Sequence, residues 1–451
     1  MVSHSQLAER DRRHLLHPLH HPSAHEEPII IESGRGVWLR SVDGREFMDG
    51  LAGLWNVLVG HGNKRLADAA QDQMNELAYF SNYAGVSNIP AIELAERLSR
   101  FAYPSLQTTF FASGGAEANE SAFKTARYYW KRHGRPEKVK IIARQDAYHG
   151  VTLAAMSATG ITPYWPMFEP RVPEFLHIVA PYPYRFEGEV QEGETIGKAA
   201  ARALEEAIIR EGPETVAAFI AEPVQGAGGV IVPPDDYFPQ VRAICDQYDV
   251  LLIADEVITG FGRTGKWFAL DHWGVEPDIM AFAKGVTSGY LPLGGIQISD
   301  RVRDAIMSAP AAQRWMHAYT YSGHATCCAV ALANLDILEE ERLVDRAASM
   351  GARLMAGLEA LKDIECVGNV RGLGLMAAIE FVADRETKAK AGIADRILAG
   401  CQRRGLISRT KGESLLFAPP LIISEDELDH LLATLREAIE EAWQAYKEAV
   451  S

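Results

Sequence analysis

From about residue 60 onward, short apolar runs alternate with longer stretches whose apolar positions recur at helical spacing. Residues 139–143, 217–221, 250–254 and 279–283 are apolar segments of strand length, and 117–133, 196–210 and 237–248 carry the helical period between them. A strand that is apolar at every position has both faces covered, so the alternation predicts βαβ units and a mostly parallel sheet with helices on both faces. Beyond residue 323 the chain turns helix-rich, through 325–340, 342–361, 393–404 and 425–447, with a hairpin over 366–381 and an apolar strand over 415–423. This shift predicts an α/β chain of three parts: an N-terminal segment 1–59 joining a small domain, a large domain 60–324, and a smaller α+β domain 325–451.

The first 27 residues break the pattern. They hold six of the fourteen histidines, His4, His14, His17, His20, His21 and His25, but Pro18 and Pro22 interrupt them and no helical face collects them, so a loop-rich lead-in without a metal site is expected. A net charge of −15 opposes the attraction to phosphate on which nucleic-acid binding depends, and makes DNA, RNA and anionic membranes poor partners. Five cysteines without CxxC or CxxH spacing suggest neither zinc nor a disulfide framework. With no apolar leader and no run of the roughly 18 apolar residues that a spanning helix needs, a cytoplasmic protein is expected. Asn119-Glu120-Ser121 fits the glycosylation sequon and, without a secretory signal, reads as coincidence.

Gly260-Phe261-Gly262-Arg263-Thr264-Gly265-Lys266 fits GxxxxGK after an apolar strand, but Trp267 stands where a phosphate-binding loop needs Ser or Thr for magnesium. Nucleotide hydrolysis is set aside. A different pair carries chemistry. The segment 250–254 ends at Asp255 and 279–283 ends at Lys284, about one crossover unit later, and ligands of open α/β sheets bind at the carboxyl ends of strands. Singly, Asp255 fits a helix cap and Lys284 a surface charge. Together they suit pyridoxal 5′-phosphate, whose aldehyde bonds to a lysine amine and whose pyridine nitrogen stays protonated beside a buried carboxylate. Ser113-Gly114-Gly115-Ala116 precedes a helical stretch, and a Gly-rich turn at a helix N-terminus offers N–H groups and the dipole to a phosphate.

These segments, with Tyr148-His149-Gly150, Glu222-Pro223-Val224-Gln225-Gly226, Asp255-Glu256-Val257, Ala283-Lys284-Gly285 and Thr320-Tyr321-Ser322-Gly323-His324, resemble the class III aminotransferases of fold-type I pyridoxal-phosphate enzymes, from about Trp38 to Ile439. The resemblance implies that Lys284 binds the cofactor aldehyde and moves the proton, that Asp255 pairs with the pyridinium, and that Tyr148 and Val257 cover the two ring faces. It implies that backbone N–H groups of Gly115 and Ala116 hold the phosphate, although the family often has Ser at the position of Ala116. His149 and Glu222 join the cofactor site, Glu222 in a structural or a catalytic role. Thr320 is similar to a residue that reaches the phosphate from a neighbouring subunit, which implies a homodimer or a tetramer built from it.

Ala227 and Ile258 depart from the Glu and Gln that ornithine and 4-aminobutyrate members tend to carry there, and match the pyruvate-dependent ω-aminotransferases. Leu54-Trp55-Asn56, the segment 289–294 and Arg409 before Ala418-Pro419-Pro420 resemble the same group. The expectation is thus an ω-amino acid or amine:pyruvate aminotransferase with a ping-pong cycle. Trp55 and Tyr148 would wall the pocket, Arg409 would fork onto the keto acid's carboxylate and swing away for an apolar donor, and His17, Tyr79, Tyr83 and Tyr319 would line it. A 2-oxoglutarate-dependent aminotransferase and an isomerase or decarboxylase on the same scaffold are the alternatives.

Overall fold

The apolar runs assemble into one seven-stranded sheet. In a computed structural model that describes residues 3–450, apart from the side chains of residues 24 and 25, the strand order from one edge is Leu106–Ala112, Gly294–Ser299, Ile279–Phe282, Leu251–Asp255, Val216–Ala221, Lys140–Arg144 and Phe175–Ile178. Gly294–Ser299 runs antiparallel to both neighbours, and the other six strands share one direction. The period of two sorts each strand between two cores. Leu251 and Ile253 pack with Ala118, Ala122, Phe123 and Ala126 of the helix Gly115–Arg132. Leu252 and Ala254 join the larger core on the opposite face, where the helices Ile196–Glu211 and Tyr237–Gln247 lie. Full burial of a Leu, Ile or Phe side chain stabilises by about 1.5–3 kcal/mol, which is why strands apolar at every position sit in the middle of the sheet.

Two smaller sheets complete the architecture. Ile31–Arg35, Trp38–Ser41 and Glu46–Asp49 form an antiparallel meander whose last strand pairs in parallel with Leu406–Ile407, so the two ends of the chain meet. Val367–Gly372, Ala377–Asp384, Ser414–Phe417 and Arg409–Lys411 form an antiparallel sheet, with the expected hairpin as its first pair. The strand expected over 415–423 ends at Phe417, because Pro419 and Pro420 have no N–H for a ladder.

The lead-in is helical rather than loop-rich: His4–His14 is an α-helix started by a capping box in which Ser3 and Gln6 satisfy each other's backbone N–H groups. His4 Nε2 lies 3.3 Å from the Pro28 carbonyl and His17 Nε2 lies 2.9 Å from Asp11 Oδ2, while the His25 side chain and residues 1, 2 and 451 at the outer limits of the end segments fall outside the described part. Among the described residues no group of three or more His, Cys, Asp or Glu gathers as a metal set, and no helix is long and apolar enough to cross a membrane. The GxxxxGK segment forms a turn with no helix after it, and Arg263 within it is fully buried, with Nη1 donating to the carbonyls of Leu375 and Pro419. Burial pushes that guanidinium down to about 9.

Candidate active site

Three strand ends converge on one cleft. Asp255 closes its strand, Lys284 follows Ile279–Phe282, and the turn at 113–114 follows Leu106–Ala112 and starts the helix Gly115–Arg132. No side chain caps that helix, so the first-turn N–H groups at Gly115 and Ala116 remain available to an anion. Gly115 is required by packing: a Cβ there would stand 2.8 Å from Val257 Cγ1. Gly150 is required twice over, with φ at +123° and a Cβ that would meet that of Ala116 at 2.7 Å.

Asp255 is 3% exposed, and both of its oxygens accept hydrogen bonds. Oδ2 accepts from Asn119 Nδ2 at 2.8 Å and from His149 Nδ1 at 2.7 Å, and Oδ1 accepts from the Val257 N–H at 3.1 Å. An acceptor-only carboxylate fixes the proton of His149 on Nδ1. Its Nε2 is buried without a partner among the described residues. Glu222 is buried too, accepting from the N–H groups of Tyr148 at 2.9 Å and Gly226 at 2.8 Å, and burial raises its carboxyl, with His149 opposing and Asp255 adding.

Lys284 sits at φ +46° and starts a short turn, Lys284–Thr287, at the floor of the cleft. Burial pushes its amine down to about 8, against the pull of Asp255 and Glu222 and with the push of Arg409. A larger neutral fraction makes it a better nucleophile toward an aldehyde. Tyr148 lies on the same cleft, its phenol raised by burial and pulled down by Arg409, with the Tyr164 ring 5.7 Å away. The guanidinium of Arg409, half-buried on the edge strand Arg409–Lys411, makes no hydrogen bond or ion pair among the described residues. The arrangement thus offers an uncapped helix start for a phosphate, a buried carboxylate for a cationic ring nitrogen, an amine of lowered basicity for an aldehyde, and a free guanidinium for a carboxylate. The residues present fit pyridoxal phosphate.

Trp55, 2% exposed, is packed among Leu51, Ile258, Met376 and Leu416, while its neighbour Leu54 is 49% exposed. Thr320 is exposed, and its carbonyl accepts from Tyr79 OH. Tyr319 OH donates to the Glu117 carbonyl in the first turn of the Gly115 helix, and Tyr83 lines a separate cavity of about 300 Å³ with Phe110 and His317. His17 is engaged with Asp11.

Sequence reasoning missed Asn119, which it met only as a sequon. Asn119 is 1% exposed, one turn into the Gly115 helix, and bridges Asp255 to the His149 carbonyl. A polar residue one turn after a Gly-rich helix start, amid apolar neighbours at 118 and 122, was the available signal. Thr159, whose hydroxyl accepts from the His149 N–H, carried none.

The family model described as aminotransferase class-III matches residues 20–439. A diaminobutyrate–2-oxoglutarate transaminase of Halomonas elongata is 40% identical over 99% of this chain and 98% of its own, and a putrescine–pyruvate aminotransferase of Pseudomonas aeruginosa is 39% identical over 91% and 90%. The solved structure of a thermostable (S)-enantioselective omega-transaminase from Thermomicrobium roseum superposes with a TM-score of 0.93 at 47% identity, covering 97% of this chain and 98% of that one. Relatives thus divide between two acceptors, and share one chemistry. With its fold and nearly its whole length matched, the chain belongs to the class III aminotransferases, a family of pyridoxal-phosphate-dependent transaminases.

Proposed function

We propose that this transaminase moves an amino group from an ω-amino acid or primary amine to pyruvate in two half-reactions, leaving alanine and an aldehyde or ketone. The observation that carries the reading is Arg409: a half-buried guanidinium close enough to Lys284 and Tyr148 to shift both, with no carboxylate among the described residues paired with it. A free cation at that place suits a keto acid with one carboxylate beside its carbonyl. Ile258 belongs to an apolar cluster and Ala227 bears no polar group, which suits a donor lacking a carboxylate at the amine-bearing carbon.

When bound, pyridoxal phosphate supplies an aldehyde that bonds to amines and a ring that withdraws electrons from the bond being broken. The remaining roles fall to this chain. Gly115 and Ala116 hold the phosphate with backbone N–H groups, and Asp255, oriented by its donors, favours a protonated ring nitrogen. Val257 and Tyr148 confine the ring. Lys284 Nζ accepts the proton leaving the donor's amine-bearing carbon and later delivers a proton to the former keto carbon of the acceptor.

The same reading includes a homodimer in which Thr320 serves the partner's phosphate. Thr320 is exposed, and Met74, Phe80, Ile89 and Ile92 leave an apolar stripe beside it at 51–66% exposure. The test follows the visible absorption of the holoenzyme as β-alanine, an aryl-alkyl amine or ornithine is added, and then pyruvate or 2-oxoglutarate. Bleaching by an amine and recovery with pyruvate is expected. Recovery with 2-oxoglutarate alone overturns the acceptor, and turnover without any keto acid overturns transamination.

A further inference from the structure

Next to Asp255 stands a second buried acid that the chemistry above does not use. The strand's alternation turns Asp255 toward the Gly115 helix and Glu256 to the opposite side, into the larger core, where it is fully buried. Four donors converge on it. Oε1 accepts from Tyr103 OH at 2.5 Å, Ala269 N–H at 2.7 Å and Leu270 N–H at 3.2 Å, and Oε2 accepts from the Thr259 hydroxyl. Tyr103 OH accepts in turn from the Leu270 N–H at 3.0 Å. No cation among the described residues pairs with it, and burial pushes the carboxyl up to about 7. A buried acid without a counter-charge is costly, and an apolar residue of similar volume would be cheaper for stability alone.

What the carboxylate ties down is the loop over residues 257–268, held near its start by Thr259 and just past its end by Ala269 and Leu270. That loop touches the cleft at two places. Val257 bears on the start of the phosphate-side helix, where a Cβ on Gly115 would stand 2.8 Å from it. Phe261 bears on the lysine turn, where a Cβ on Gly285 would stand 3.2 Å from Phe261 Cβ, and it packs against Phe268 and Phe282 with centroids at 5.3 and 6.1 Å. We propose that Glu256 is a positioning residue: by fixing both ends of this loop from behind the sheet, it sets the distance between the Val257 wall and the Lys284 turn. The inference rests on the reading of Asp255, Val257 and Lys284 as cofactor contacts.

The experiment compares wild type, Glu256→Ala, Glu256→Gln and Tyr103→Phe as holoenzymes. It measures retention of pyridoxal phosphate on dialysis, the pH midpoint of the bound cofactor's visible absorption, kcat and the KM for pyruvate, all below each variant's Tm. Because misplacement of about 1 Å can cost up to 100-fold, Glu256→Ala is expected to weaken retention and lower kcat by roughly tenfold, to shift the pH midpoint, and to leave the KM for pyruvate within about twofold. Glu256→Gln is expected to recover most of this, since its amide oxygen still receives Tyr103, Ala269 and Leu270. A lowered Tm with wild-type retention, midpoint and kcat in the folded protein overturns the proposal. If Glu256→Ala does not fold, Tyr103→Phe decides: a weaker change in the same three readouts supports it, and none overturns it. Wild-type protein that holds no pyridoxal phosphate would instead sink the underlying site reading.

Discussion

Removing the Arg409 guanidinium separates function from stability unusually well. Because the side chain makes no hydrogen bond or ion pair among the described residues, Arg409→Ala leaves no partner stranded there, and stability should change by no more than about 0.5 kcal/mol. A hydrogen-bonded charge pair contributes about 1.5–3 kcal/mol, so losing the fork onto a keto acid's carboxylate should lower kcat/KM for pyruvate by roughly 10- to 150-fold. An apolar aryl-alkyl amine has no carboxylate to lose, and its half-reaction should stay within about threefold. Arg409→Lys keeps the charge but not the fork, and should fall between. Each half-reaction is followed alone, by stopped-flow visible absorption at a single turnover, so that acceptor and donor effects do not mix. A pyruvate half-reaction as fast as the wild type's in Arg409→Ala, or an equal loss in both halves, refutes the assignment.

Asp255→Asn keeps the shape but brings an amide donor toward Asn119 and His149 and removes the anion that a protonated ring nitrogen needs. We expect cofactor retention to persist in part while kcat falls by at least about 100-fold, measured with cofactor in excess. Gly115→Ala places a methyl 2.8 Å from Val257 Cγ1, so either the helix start or Val257 must move, and pyridoxal phosphate should be lost on dialysis faster than from wild type, with little change in Tm. Lys284 gives a signed pH effect. Its amine is lowered from 10.5 to about 8 on folding, so between those values the unfolded chain carries a proton that the folded chain has released, and stability rises with pH across that window. In thermal scans of cofactor-free protein, wild type should gain Tm relative to Lys284→Met from pH 8 to 10.5, and parallel curves would show that the amine is not buried as described.

The central sheet was legible because burial on both faces writes itself as uninterrupted apolar runs. The strands 106–112, 175–178 and 294–299 lie toward the sheet's edges or are interrupted by glycine and polar residues, and the pattern alone did not single them out. The N-terminal helix escaped for a different reason. It buries only Ala8, so it has no apolar stripe, and its start is specified by the Ser3 and Gln6 side chains rather than by periodicity. Trp55 stands at φ +67° and packs in a cluster with Ile258 and Leu416, a placement that hydrophobic periodicity does not encode.

The site divides along the same line. Asp255 and Lys284 could be found because each ends an apolar strand, and strand ends on one edge of a parallel sheet must share a cleft. Their supports could not, since Asn119, Thr159, Tyr103 and Glu256 act through side-chain hydrogen bonds across long stretches of sequence that no local period encodes. Asp255 and Glu256 make the contrast sharpest. They are adjacent carboxylates at the end of one strand, and the period of two alone sends one toward the cleft and the other into the core behind it. Sequence order therefore says that the pair is split between two faces, while only the packed structure says that the hidden member receives four donors and grips the loop that walls the visible one's cleft.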